Sequence, residues 1–181
     1  MACMKHFILL ALLNGVLCGS VSAQGLLPVW EVEEMAKTLD QNAGDARKLL
    51  EQVRPQEWIQ NGASNAYVGQ YETLLTELSN LSLSAQNLLR NPQKISVAVD
   101  TFLWLDRSWS MLNSIADGVR RYQNAALADL LISVSNRGTG AGEKLKEYMG
   151  GLAADREAQL EIAHSEAQRC RQDLFQQTPR D

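Results

Sequence analysis

From Tyr67 to Leu88 the chain returns an apolar side chain at every third or fourth position: Tyr67, Tyr71, Leu74, Leu78, Leu81, Ala85 and Leu88. No polar residue interrupts that series. Alternating steps of four and three keep one face of a helix apolar, whereas a strand would need steps of two. A helix carrying such a stripe must hide it against other helices, because a short helix alone in water is marginal. The pattern recurs three more times. It runs through Val32, Ala36, Leu39, Ala43, Ala46, Leu50 and Val53. It runs again through Phe102, Leu105, Trp109, Leu112, Ala116 and Val119, widened by Ile115 and Tyr122. The last series is Leu145, Met149, Leu152, Leu160, Ala163, Ala167, Cys170 and Leu174, interrupted by Arg156. The expected fold is all-α, an antiparallel bundle of four or five helices with coiled-coil-like seams. A longer coiled coil formed with a partner chain would use the same stripes.

Turn chemistry divides these segments. Pro28 suits a first helical turn, and Glu31, Glu33 and Glu34 suit the positive end of the helix dipole. Arg54-Pro55 ends the first helix, since a residue before proline is pushed out of the α region. A short piece from Pro55 to Gln60 carries Trp58, and Asn61-Gly62 marks a turn. Ser64 is placed as the N-cap of the second helix. Asn91-Pro92 ends that helix and is expected to start the third, with Asn91 as cap and Pro92 as first residue. The alternation of Ile95, Val97 and Val99 is read as a helix start rather than a strand. A break is expected near Gln123-Asn124 rather than at Asp117-Gly118, with Asn124 capping a short continuation to Val134. Asn136 to Gly142 reads as a glycine-rich linker or hinge, with the last helix running from just beyond it to about Phe175.

The N-terminus reads as an export signal at residues 1–23. Lys5 and His6 are followed by the apolar run Phe7 to Leu17, and Val21-Ser22-Ala23 places small residues at a cut before Gln24. The run is shorter than the roughly 20 residues a membrane-spanning helix needs. Cys18 follows the bulky Leu17, which disfavours lipoprotein processing. Residues 24–176 are taken as the bundle domain and 177–181 as a frayed tail. Of the three cysteines only Cys170 remains after the cut. It cannot form an internal bridge, and its place on the stripe predicts burial. An exported domain without disulfides is assigned to the bacterial periplasm or exterior. The net charge of −4 shows no basic stripe for nucleic acid.

No catalytic, cofactor or metal site is predicted. Glu161 and His164 stand one helical turn apart, but a di-iron carboxylate bundle needs two such pairs, and only one histidine survives the cut. The sequence from Gly138 to Lys144 has neither the spacing nor the preceding strand of a phosphate-binding loop. Asn80-Leu81-Ser82 matches a glycosylation acceptor but falls inside a helix. The candidate interaction residues are Trp104 with Leu103, together with Trp58, Arg120 and Arg121. Trp58, beside a turn, also suits a plug at the end of a bundle. The expected function is a non-catalytic interaction or scaffold module that binds a protein partner or itself through a face around Trp104 and the last helix. The second reading is a ligand-binding or catalytic bundle, with an interior pocket lined by Tyr67, Tyr71, Trp109 and Tyr122.

Overall fold

A computed structural model of the protein describes residues 27–177. The expected export signal with its expected cut after Ala23, Cys18, and residues 178–181 lie outside the described residues. The described residues form five helices and no strand: α1 (Val29–Leu50), α2 (Pro55–Gln60), α3 (Ala66–Arg90), α4 (Ile95–Tyr122) and α5 (Ala125–Gln177). The four long ones pack as an up-down-up-down bundle in the cyclic order α1, α3, α4, α5.

Polar contacts between neighbours give the directions. Along α1 and α3, Ser82 donates to the Asp40 carboxylate, and the Tyr71 hydroxyl donates to the Leu50 carbonyl at 3.1 Å. Along α3 and α4, the Ser84 and Thr101 hydroxyls meet at 2.9 Å, and Ser114 donates to Gln70 at 3.2 Å. Between α1 and α5, Arg137 donates to Asn42 at 3.3 Å and to Asp45 at 3.2 Å. In the first two pairs one helix ascends as the other descends, and α1 and α5 do the same, since Arg137 reaches Asp45 while Lys144 lines a groove with Trp30 and Glu34.

The stripes of α1, α3 and α4, with the part of the fourth that ends at Leu152, form the core. Leu74, Leu78, Leu81, Ala85 and Leu88 of α3 are buried, as are Val32, Ala36, Leu39, Ala43, Ala46 and Leu50 of α1. On α4, Leu105, Trp109, Leu112, Ile115, Ala116 and Val119 close the third side. Burying one such leucine stabilises the fold by about 2 kcal/mol. Asn124 caps α5 as expected, its side-chain oxygen accepting from the Ala126 N–H at 2.8 Å. Ser64 accepts from the Ala66 N–H at 3.2 Å.

Two expectations about boundaries are corrected. Pro92 does not open α4. Residues 91–94 make a turn closed by the Lys94 N–H on the Asn91 carbonyl at 3.1 Å, and the helix begins at Ile95. Nor is there a linker at Asn136–Gly142, for α5 runs unbroken for 53 residues. Two of the glycines there, Gly138 and Gly142, are points of close approach. A Cβ on Gly138 would lie 2.2 Å from Trp109, and one on Gly142 would lie 2.9 Å from Leu105. They fall on the buried stripe of α5, between Leu131 and Leu145, where absent side chains leave room for large ones on α4.

Candidate functional site

The two ends of the bundle differ. At the α2 end, Gly62 takes φ 86° in the turn after Gln60. The turn leaves Trp58 pressed into the bundle, fully buried. Its ring lies 5.5 Å from Tyr67 edge-on and 6.2 Å from Tyr122 stacked. Gly118 admits it, since a Cβ there would come within 2.8 Å of the indole. The Gln123 carboxamide oxygen accepts from the Trp58 indole N–H at 3.1 Å and from the Arg54 N–H at 3.0 Å. Its nitrogen donates to the Gln52 carbonyl at 2.7 Å. Trp58 is therefore a plug, and its place among exposed interaction residues is corrected.

The same cluster bears on the expected pocket. Tyr67 and Tyr122 pack on each other and on Trp58, with 6.2 Å between the two tyrosine rings. Tyr71 turns its hydroxyl to Leu50, while Trp109 lies over Gly138. Trp109 is nine residues from Gly118 on α4, about 14 Å along the axis. The four aromatics therefore do not face one shared cavity.

The other candidate interaction residues are dispersed. Leu103 is exposed, and Trp104 is half-buried with the Arg107 guanidinium 5.1 Å above its ring. Arg120 and Arg121 lie about 24 Å further along α4. Arg120 pairs with Asp129 across the α4–α5 turn, an exposed contact worth at most about 1 kcal/mol. Arg121 lies 5.9 Å over the Tyr122 ring. These residues make no common face.

Two shallow grooves flank α5. One, of about 540 Å³, runs between α1 and α5 past Trp30, Glu34, Met35, Arg137 and Lys144. The other, of about 320 Å³, lies between α4 and α5 beside Phe102, Asp106, Trp109, Asn113 and Glu143. The chain matches no protein-family model, no curated protein and no solved structure. Among the described residues, no group of three or more histidine, cysteine, aspartate or glutamate side chains could hold a metal ion, and no helix is long and apolar enough to cross a membrane.

At the opposite end from Trp58, Tyr148 donates to the Pro92 carbonyl at 2.6 Å. Arg156 donates to the Gln93 carbonyl at 3.3 Å and to Gln159 at 2.7 Å. Burial raises the Tyr148 pKa above 10.0, and the nearby Arg156 charge partly offsets that rise. Beyond this anchor α5 leaves the bundle. Every described side chain from Arg156 to Phe175 is exposed, including Leu160, Ile162 and Cys170. Phe175 reaches 80 % exposure. Cys170 is thus not buried, because α1, α3 and α4 supply nothing opposite it. Glu161 and His164 lie on the same projecting segment, also exposed.

The projecting segment is the feature that sequence reasoning missed. Its stripe has the same spacing as the stripes that are buried, so periodicity could not separate them. The available signal was length: α5 outruns the other long helices, the longest of which has 28 residues.

Proposed function

We propose that this protein is an exported, non-catalytic interaction or scaffold module of the bacterial envelope, and that the projecting half of α5 is its docking element. The observation that carries the reading is the exposed apolar stripe beyond Arg156. A projecting helix lacks the tertiary packing that supplies most helical stability in proteins, and exposed apolar side chains gain nothing until a partner covers them. Helix-on-helix docking through residues spaced three and four apart is the recognition mode such a stripe fits. The export signal supports the envelope address. The packed Trp58–Tyr67–Tyr122 cluster supports a scaffold over an interior-pocket enzyme.

The test is photo-crosslinking in intact bacterial cells. A photoreactive residue at position 160 is compared with one at position 83, where Leu83 is exposed on α3. The reading expects discrete protein adducts from position 160 and none from position 83, on a chain whose mass begins at Gln24. Absence of adducts from position 160, or an unprocessed chain retained in the cytoplasm, would overturn it.

A further inference from the structure

We infer that the occupant of the projecting stripe is a second copy of this chain, lying antiparallel, tail against tail. This rests on the interaction reading above and names its partner. Ala163 lies eighteen residues beyond Leu145, Ala167 eighteen beyond Met149, and Cys170 eighteen beyond Leu152. Eighteen residues are five turns at about 3.6 per turn. The exposed trio therefore prolongs the face that Leu145 and Leu152 bury against the other helices. It looks out over the end of the bundle, on the side where α1 and α4 begin. A partner helix seated there continues the layer those helices leave unfinished.

The direction follows from space. A parallel partner, seated on that face, would carry its own α5 back through the volume that α1 and α4 fill. An antiparallel partner meets no such obstacle, because its bundle stands beyond the far end of the tail. The two bundles are then separated by about 30 Å of paired helix. Arg156 holds the root of the tail to the Gln93 carbonyl, which keeps the stripe in phase with the core.

Size and charge agree. With Leu160 and Ala167 at heptad a positions, Ala163 and Cys170 fall at d. Setting Ala163 against the partner's Ala167 places Leu160 against the partner's Cys170. In these central layers each larger side chain faces a smaller one, and the two alanine layers let the axes approach to about 8 Å. In the outermost layers Leu174 lies against the aliphatic stem of the partner's Arg156, whose guanidinium donates to the Gln93 carbonyl. On one flank Glu157 stands beside the partner's Arg171, and the two-fold axis repeats that pair. On the other flank Glu166 meets its own mate. His164 meets its own mate between the two Glu157–Arg171 pairs, and Gln159 stands beside the partner's Asp173 on either side of Glu166, so two attractive charge contacts stand against one repulsive contact in this register.

The experiment uses the chain from Gln24, native and as Leu160→Cys, oxidised with glutathione disulfide and run on non-reducing gels. Position 160 is exposed, so the bundle does not depend on its leucine. The antiparallel register predicts a covalent dimer from Leu160→Cys, formed about tenfold faster than from the native chain because the paired thiols are held at high effective concentration. In that register the two native Cys170 residues stand about 15 Å apart along the axis, too far to bridge. Sedimentation reads the charges separately: Glu157→Arg weakens the dimer, and adding Arg171→Glu restores it. Equal or faster linkage of the native chain through Cys170 would mean a parallel pair and would overturn the proposal. A monomer at every concentration, with no covalent dimer from either chain, would also overturn it. Should position 160 then still crosslink to a different protein in cells, docking survives and self-association does not.

Discussion

The indole of Trp109 closes over Gly138 so tightly that a methyl group on that glycine would stand 2.2 Å from both Cζ2 and Nε1 of the ring. This contact joins α4 to α5 in the middle of the bundle and turns a glycine-rich stretch into helix interior. Trp109 is itself buried, with no hydrogen-bond partner for its indole N–H among the described residues, so packing holds the ring.

Gly138→Ala consequently destabilises the protein, although alanine is the better helix former by about 1 kcal/mol. Displacing Trp109 costs about 2 kcal/mol or more net, as overpacked cores do. Gly140, two residues on, is exposed, and a Cβ there would meet nothing within 4 Å. Gly140→Ala is expected to stabilise by up to about 1 kcal/mol. Urea unfolding of the two variants reads both signs. Equal, small effects would restore the linker reading.

Gln123 ties the α2 end together, and Gln123→Ala is expected to cost about 2 kcal/mol, most of it from leaving the buried Trp58 indole N–H without an acceptor. Gln123→Glu keeps that acceptor, and although its second oxygen faces the Gln52 carbonyl, water screens that repulsion at this exposed side chain, so it costs less than alanine. Thermal unfolding, with tryptophan fluorescence as a second probe, ranks the native chain first, then Glu, then Ala. A reversed order of the two variants would contradict the geometry.

Tyr148 makes stability depend on alkaline pH. Its folded pKa is raised by burial, so folding favours the protonated phenol. That contribution is complete below the unfolded pKa near 10 and declines as pH rises through the folded value. Stability should therefore hold to about pH 9 and fall above about pH 10. Tyr148→Phe loses the bond to the Pro92 carbonyl, about 1 kcal/mol, and flattens that alkaline decline. Denaturant midpoints of both chains between neutral and strongly alkaline pH provide the comparison.

Much of the bundle was legible before the structure. The α3 stripe from Leu74 to Leu88 is buried throughout, because nothing competes with a periodicity that has no polar gap. The Asn124 cap and the proline and glycine signals around Trp58 held because each acts locally, through a side-chain acceptor or a restricted backbone. The continuity of α5 was hidden because glycine weakens a helix wherever propensity alone decides. Here the rings and methyls of α4 decide, and only the spacing of Gly138 and Gly142, in step with Leu131 and Leu145, hinted at it. The stripe through Leu160 and Cys170 reads the same whether a partner lies within the chain or outside it. Its exposure therefore had to come from the lengths of the neighbouring helices.

Self-association through the projecting half of α5 is tested most directly by amide hydrogen exchange of the processed chain over a range of protein concentrations. Residues 127–152, inside the bundle, should exchange slowly at every concentration. Residues 157–175 should exchange quickly when dilute and become protected as concentration rises, in step with dimer formation. Rapid exchange of that segment at all concentrations, or full protection even at the lowest, would contradict the account.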